Sequence, residues 1–221
     1  MRKKREFLRQ RFFQQINRVR MENLRSRISP HFTFNVLGRE INQFNGSEEV
    51  KHNLMELVKY LRRSLELTEK LSVSLQDELD FVRTYIELER GRVGEDFVAT
   101  ITVEDGLDAT RIMIPSMIVQ IPVENAIKHG LAGKDGKKEL MVYVSRETNG
   151  IRITVTDNGR GYLPQVVSAT RGTGTGLKVL YQTIQLLNTK NKSDKIRFNI
   201  TNRSDGQTGT EVSVYIPFRF S

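Results

Sequence analysis

The segment from Glu124 to Gly130 combines an amide, a carboxylate and two basic side chains within about two helical turns. Asn125 can offer its amide oxygen to a hard cation such as Mg²⁺, which keeps several waters and bridges phosphate oxygens. Glu124 can order a water or polarise the same site, and Lys128 and His129, one turn further on, can neutralise phosphate charge. Taken alone, the segment is equally consistent with a helix that carries ordinary polar residues.

The segment DNGRG at residues 157–161 follows a stretch of strand-like alternation, so its first carboxylate ends a strand. From that position Asp157 can point into a pocket at the sheet edge and accept a hydrogen bond from an exocyclic amine such as that of adenine. Gly159 and Gly161 let the backbone pass close to a flat ring. A DNG tripeptide is also a common hairpin turn, which is the simpler interpretation of this segment in isolation.

A third segment, GTGTGL at residues 172–177, places two glycines directly before a helical pattern that runs from Leu177 to Leu187. Gly174 and Gly176 leave backbone N–H groups free at the start of that helix, where the helix dipole also favours phosphate. The spacing of these glycines is not that of the Walker or dinucleotide-binding loops, which argues against those folds. A lone glycine-rich turn can also be a flexible loop.

Helical periodicity dominates the first third of the chain. A helical pattern extends from Lys3 to about Asn45, and its apolar stripe changes side after Val19, which suits a linker helix that feeds a helical bundle. After a break at residues 45–47, a second helix carries an apolar stripe at Leu54, Leu57, Val58, Leu61 and Leu65. Two such helices cannot bury both stripes alone, so we expect a four-helix bundle made by two chains, and hence a homodimer.

The remainder of the chain alternates between helical and strand patterns. Ser74 and Asp77 resemble a capping box, which begins a helix that extends to Arg90. One face of this predicted helix is apolar, at Leu75, Leu79, Val82 and Ile86. Beyond Gly94 a period of two predicts strands, with helical segments between them at residues 116–129 and 176–188. The predicted strands lie at residues 97–103, 140–144, 151–155 and 212–216. Strands and helices therefore share one layered domain of the α+β class.

The charge of the chain is concentrated at its start. Residues 1–30 contain ten lysines and arginines but two glutamates, so +8 of the formal net charge of +9 lies there. Such a stretch suits a position beside anionic lipid headgroups; a nucleic-acid arm and a merely solvated helix face are the alternatives. No apolar run approaches the roughly 20 residues that cross a bilayer, so any membrane anchor of this protein is expected to lie upstream of Met1. The absence of cysteine excludes disulfides, thiolate metal sites and a cysteine nucleophile.

The segments at residues 124–130, 157–161 and 172–177, in this order along the chain, resemble the N box and the two glycine boxes of the GHKL ATPase and histidine kinase superfamily. Gly209 and Thr210, before the last strand, are similar to the closing element of that superfamily. The resemblance implies a Bergerat-type α/β sandwich, in which residues 162–171 form a mobile lid over ATP. It also implies that Asn125 binds Mg²⁺ and that Asp157 reads adenine, in a pocket lined by Gly159, Gly161, Gly174 and Gly176.

The segment SPHFTFN, from Ser29 to Asn35, resembles the PHFxFN box of the LytS/YehU-type sensor histidine kinases. The segment from Leu75 to Arg92 is also similar to that family. The resemblance implies that His31 is the phosphoacceptor, a role that suits imidazole because its neutral form, favoured above a pKa of about 6.5, has a nucleophilic nitrogen. By analogy with other histidine kinases, Asn35 can hydrogen-bond the phosphoryl group or position a hydrolytic water.

The resemblance therefore implies the kinase core of a two-component system. Such a core uses ATP and Mg²⁺ to phosphorylate its own His31 and then passes the phosphoryl group to an aspartate of a cognate response regulator. A catalytically weak pseudokinase, or dimeric signalling scaffold, is the alternative, and the retained nucleotide-binding residues argue against it. A nucleic-acid-binding function lacks the interleaved aromatic residues expected of single-strand binding, so no nucleic-acid partner is expected.

Three regions follow from this interpretation. We expect a homodimer that forms the cytoplasmic portion of an inner-membrane protein, with a membrane-embedded sensor region upstream. The expected regions are a basic linker helix at residues 1–20, dimerisation and phosphoacceptor helices at 21–70, and the GHKL ATP-binding domain at 71–221.

Overall fold

The fold consists of two compact units, Met1–Leu71 and Ser72–Ser221, which are described separately below. The computed structural model describes residue 41 and residues 46–162, 175–190 and 194–219. The predicted first helix lies outside these residues except for Ile41, and so do His31, Asn35, Gly174 and nearly all of the predicted lid.

Helix α1 (Glu48–Glu69) is the described helix of the first unit, and it confirms the second predicted helix. Ser47 begins it, because the Ser47 hydroxyl accepts a hydrogen bond from the Val50 N–H at 3.3 Å. Val58 in the predicted apolar stripe is buried, whereas Leu57 remains 42% exposed. No helix in the described parts of the chain is long and apolar enough to cross a bilayer.

Helix α2 (Leu75–Val93) opens the second unit, after the short strand β1 (Ser72–Ser74). The predicted capping box is confirmed: the Asp77 N–H donates to the Ser74 hydroxyl at 3.0 Å, and that hydroxyl donates to the Asp77 carboxylate at 2.8 Å. The predicted apolar face is fully buried, at Leu75, Leu79, Val82 and Ile86. The helix ends at Gly94, whose φ of 112° favours glycine.

A five-stranded mixed sheet forms the second layer of this unit, in the order β2-β4-β5-β7-β6. Its strands are β2 (Phe97–Val103), β4 (Lys138–Glu147), β5 (Gly150–Asp157), β6 (Arg197–Asn202) and β7 (Thr210–Pro217). Strands β2 and β4 are parallel, and all other neighbours are antiparallel. The four strands predicted from alternation are confirmed. Sequence reasoning missed β6, an edge strand whose residues are mostly exposed or half-buried.

Two three-residue strands were also not predicted, because three residues are too few to establish a period of two. Strand β1 pairs antiparallel with β3 (Met113–Pro115), so the start of α2 lies next to the segment that leads into the next helix. Their pairing brings Val73 opposite Ile114, and both side chains are buried.

The helix predicted at residues 116–129 is shorter and less regular than expected. Helix α3 (Gln120–Asn125) begins four residues later and continues as a π-helical turn, Ala126–Gly130. The late start has a physical cause, because Met117 has a φ of 68° and cannot belong to a right-handed helix. Helix α4 (Thr175–Lys190) confirms the helix predicted at residues 176–188.

The hydrophobic core of the second unit lies between the helices and one face of the sheet. Alternate residues of β4 (Leu140, Val142 and Val144) are at most 1% exposed, whereas Met141, between two of them, is 46% exposed. Helix α4 contributes its own buried stripe at Leu180, Ile184 and Leu187. The expected α+β sandwich is confirmed, and it leaves the carboxyl end of β5 beside α3.

Candidate nucleotide-binding site

Asp157 is the last residue of β5 and is only 4% exposed. Its Oδ1 accepts hydrogen bonds from the N–H groups of Gly159 at 2.8 Å and Thr210 at 3.3 Å. Burial raises the pKa of this carboxyl above its usual range, although these bonds and the Thr210 hydroxyl oppose the shift. A carboxylate accepts about four hydrogen bonds, so three donors leave capacity for an exocyclic amine.

Three glycines surround this carboxylate so closely that none has room for a side chain. A Cβ on Gly159 would lie 2.1 Å from the carbonyl oxygen of Gly130, and a Cβ on Gly130 would lie 2.8 Å from the Asp157 Oδ1. Gly209, with a φ of 138°, brings its backbone so close to Asp157 that a Cβ would lie 1.9 Å from the Asp157 carbonyl oxygen. The end of α3 and the strand β5 therefore meet around one buried acid.

Arg160 links the segment that follows β5 to the end of the π-helical turn by two hydrogen bonds. Its Nε donates to the carbonyl oxygen of His129 at 2.8 Å, and its N–H donates to that of Gly130 at 3.3 Å. Burial, together with the nearby Arg160 and Lys128 cations, holds the pKa of the His129 imidazole below its usual range. His129 is therefore neutral at neutral pH and can offer a hydrogen bond to an anionic ligand.

Asn125 lies at the end of α3 with its amide held in one orientation. Its Nδ2 donates to the carbonyl oxygen of Ile121 at 2.8 Å, and within the described residues its Oδ1 accepts no hydrogen bond. A free amide oxygen suits a hard cation. The structure also brings Gly176 to this helix, since a Cβ on Gly176 would lie 3.4 Å from the Ile121 side chain.

The described parts of the chain contain no group of three or more side chains of the His, Cys, Asp and Glu types that could enclose a metal ion. A cation held by the Asn125 amide oxygen alone would take its other ligands from water and phosphate. Mg²⁺ is usually bound in this way, so the residues present fit Mg²⁺ delivered with a nucleotide.

Lys128 and Glu124 form an ion pair along the same helix face, with 3.1 Å between Nζ and Oε2. The Gln120 side chain donates to the other carboxylate oxygen of Glu124 at 3.1 Å. The ammonium of Lys128 also lies 5.8 Å from the ring centroid of Tyr85 on α2. Burial is the main cause that raises the pKa of the Tyr85 hydroxyl, and the nearby Glu89 and Glu124 carboxylates raise it further.

Sequence reasoning missed two polar residues that are distant in sequence but hydrogen-bond directly to these segments. Asn202, at the end of β6, accepts a hydrogen bond from the Tyr162 N–H at 2.6 Å, and its Oδ1 would lie 2.7 Å from a Cβ on Gly161. Gly161 has a φ of 85°, so it needs to be glycine for conformation as well as for space. Glu78 on α2 accepts hydrogen bonds from the backbone that leads into α3. No local pattern signals such partners, because about 40 residues separate them from the segments that they hold.

Comparison with known proteins gives this arrangement a class. A family model described as "Histidine kinase-, DNA gyrase B-, and HSP90-like ATPase" matches residues 110–219, and one described as "Histidine kinase" matches residues 19–97. The second unit is therefore an ATPase domain of the kind shared by these proteins. The two models together match most of the chain, which belongs to the histidine kinase family.

Curated relatives agree with this assignment. The chain is 32% identical to the sensor histidine kinase/phosphatase LytS of Staphylococcus aureus, over 85% of this chain and 33% of LytS. It is 28% identical to the sensor histidine kinase YpdA of Escherichia coli, over 91% of this chain and 34% of YpdA. The chain thus spans about a third of the length of these relatives.

A solved histidine kinase domain, from the EL346 blue-light activated histidine kinase of Erythrobacter litoralis, shares the fold. It has a TM-score of 0.50 at 18% identity and covers 85% of this chain and 96% of the solved chain.

Proposed function

We propose that this chain is the kinase core of a two-component sensor, which uses Mg²⁺ and ATP to phosphorylate its own His31. The observation that supports this proposal best is that the helical segment around Asn125 contacts both of the glycine-containing segments, at residues 157–161 and at Gly176. Asp157 and Gly159 contact Gly130, at the end of the segment that begins with Glu124, and Gly176 lies against Ile121 of the same helix. The helix α3 and its π-helical turn thus contact both the buried Asp157 and the start of α4.

The base of the nucleotide would bind at Asp157. The carboxylate accepts the exocyclic amine of adenine, which discriminates against a base that presents a carbonyl oxygen there. Gly159 and Gly161 keep the surrounding backbone free of side chains, so that a flat ring can approach.

The phosphates would extend along α3 towards the start of α4. Lys128 supplies positive charge and His129 a hydrogen bond, while Gly174 and Gly176 offer backbone N–H groups at a helix N-terminus. The Asn125 amide oxygen would hold Mg²⁺, and the cation would supply positive charge beside the transferred phosphoryl group. Phosphoryl transfer depends mainly on positioning and charge neutralisation, which these residues would provide.

The acceptor would be His31, with Asn35 and Glu124 in supporting roles. A ring nitrogen of the neutral imidazole forms the bond to the γ-phosphorus while the bond from phosphorus to the ADP oxygen breaks. Glu124 orders a water or polarises the site, and Asn35 contacts the phosphoryl group. An aspartate of a response regulator then accepts the phosphoryl group from His31.

The remaining proposals concern assembly and location. We propose a homodimer through residues 21–70, supported by the exposed apolar side chains on α1, Val50 at 44% and Leu57 at 42%. Residues 1–20 are proposed as a basic linker helix and residues 71–221 as the ATP-binding domain. The charge of residues 1–30 supports a position on the cytoplasmic side of an inner membrane, below a membrane-embedded sensor region. No nucleic-acid partner is proposed, because the basic segment lacks the interleaved aromatic residues of single-strand binding.

Transfer of label from γ-labelled ATP tests the proposal. The chain should acquire phosphate that is labile in acid and stable in alkali, and His31→Gln should abolish the label. His52→Gln, which changes an exposed histidine on α1, is the matched control and should label normally. Normal labelling of His31→Gln would remove the proposed acceptor. A wild-type chain that neither labels nor binds ATP would instead favour the pseudokinase alternative.

A further inference from the structure

Helix α3 has no cap of its own. Val119 precedes its first residue, and no side chain of the adjoining segment caps the helix there. The cap comes from Glu78, which lies on α2, 42 positions before Gln120 in the sequence. Glu78 is fully buried, at 0% exposure. Glu78 Oε1 accepts the N–H groups of Val119 at 3.1 Å and Gln120 at 3.2 Å.

The same carboxylate also holds a strained turn. Its Oε2 accepts the N–H of Met117 at 3.0 Å. Met117 is the non-glycine residue with a positive φ, 68°, in the described parts of the chain. Such a conformation is unfavourable for a residue with a Cβ and persists only where the surroundings enforce it. Glu78 therefore fixes both the turn at Met117 and the point at which α3 begins.

The first residue of α3 then connects this turn to the proposed phosphate-binding side chains. The Gln120 side chain donates to Glu124 at 3.1 Å, and Glu124 accepts from Lys128 at 3.1 Å. Asn125 follows Glu124 directly, and its amide is oriented by a carbonyl of the same helix. A shift of the turn would therefore move every member of this set together, because α3 has only six residues before its π-helical turn.

We infer that Glu78 is a positioning residue for nucleotide binding, acting through the turn at Met117 on Asn125 and Lys128. This inference rests on the proposed function, since it concerns the same site. It assigns to α2 a role in nucleotide binding, although Glu78 itself is fully buried. The two acceptor oxygens of Glu78 are essential to this role, because a carboxylate can accept all three N–H groups whereas an amide would present a donor to one of them.

The test compares the affinity for Mg²⁺ and ATP of the whole chain and its variants by calorimetric titration, at a temperature where circular dichroism shows each variant folded. Glu78→Gln should weaken binding about tenfold, which corresponds to about 1.4 kcal/mol. Adding Met117→Gly to that variant should raise the affinity for ATP again by at least about threefold, because glycine adopts a positive φ without support from Glu78. Glu87→Gln is the matched control, since Glu87 lies on the same helix and pairs with Arg90 in an exposed position, and it should bind as the wild type does.

A second substitution keeps the inference testable if Glu78→Gln does not fold. Met117→Val leaves the carboxylate intact but puts a β-branched residue at the positive φ, so binding should weaken severalfold. Wild-type affinity in Glu78→Gln or Met117→Val would overturn the inference, and so would a failure of Met117→Gly to restore any affinity. A wild-type chain that does not bind ATP would instead count against the proposed function.

Discussion

The two ends of the candidate site are built in different ways. At the proposed base end, defined by Asp157 and its neighbours Gly159 and Gly209, a buried acid is enclosed by backbone at distances that leave no room for a Cβ. At the proposed phosphate end, defined by Glu124, Asn125, Lys128 and His129, partly exposed side chains lie along a short helix, and Lys128 pairs with Glu124. The base end is fixed by packing, whereas the phosphate end is fixed by hydrogen bonds and charge.

This difference predicts how each end responds to a ligand. The base end is preorganised, so little ordering has to accompany adenine binding. At the phosphate end Lys128 already neutralises Glu124, so a phosphate must compete for that lysine. We therefore expect the base end to dominate affinity and the phosphate end to be sensitive to salt and to single charges.

The largest effect is expected from Asp157→Asn. The amide oxygen can still accept from Gly159, but the amide nitrogen faces the exocyclic amine of adenine as a second donor. Loss of a bond to a charged acceptor should reduce ATP affinity about 100-fold. Asp205→Asn, at an exposed aspartate paired with Arg203, is the control and should bind normally in the same titration. Equal affinity in the two variants would show that the base does not bind at Asp157.

The next largest effect tests the packing of the base end. Gly159→Ala places a methyl group 2.1 Å from the Gly130 carbonyl oxygen, so the backbone must move, and overpacking should lower the free energy of unfolding by about 2 kcal/mol. Gly91→Ala in α2, where a Cβ meets nothing within 4 Å, should instead raise it by about 0.5–1 kcal/mol. Urea denaturation measures both. If Gly159→Ala matched Gly91→Ala, the base end would not be closely packed.

A charge substitution tests the phosphate end. Lys128→Gln should weaken ATP binding about fivefold at low salt, because a partly exposed cation contributes about 1 kcal/mol, and the difference from wild type should shrink at high salt. Lys59→Gln, which breaks a similar exposed helical ion pair with Glu56 in α1, should leave binding unchanged. A salt-independent loss would mean that Lys128 acts through structure and not through charge.

The smallest effect is a pH dependence of stability that belongs to the base end. Because the pKa of Asp157 is raised in the folded chain, the native state binds more protons than the unfolded state between the ordinary aspartate pKa and the raised one. Stability contributed by this group therefore falls as pH rises through that window. The asparagine of the variant Asp157→Asn does not titrate, so the variant does not lose stability in this way. The free energy of unfolding of Asp157→Asn minus that of the wild type should therefore increase with pH across this window. A difference that stays constant across the window would contradict a raised pKa.

Much of the second unit follows from local patterns. The capping box at Ser74, the buried face of α2 and the four alternating strands are predicted by short-range periodicity, and each occurs where expected. The glycine-rich segments are equally informative, since close backbone approach demands glycine. Strand β6 is at the edge of the sheet and is mostly exposed or half-buried, so its sequence carries no clean alternation.

Long-range contacts account for what the sequence does not predict. The late start of α3 depends on Glu78, which looks like an ordinary polar residue of a helix until its burial and its three backbone donors are known. Asn202 is similar, because its contact with the Tyr162 N–H joins residues 40 positions apart. The roles of all the proposed site residues remain predictions, and His31, Asn35 and Gly174 also lie outside the described residues.

Titration of the isotope-labelled chain with ATP and Mg²⁺, followed by amide NMR, tests the convergence of the three segments most directly. The account predicts that the amides of Gly130, Gly159 and Gly176 shift together and saturate with one dissociation constant, and that Asp157→Asn weakens all three responses equally. Shifts confined to one segment, or segments that saturate at different ATP concentrations, would contradict a single nucleotide site.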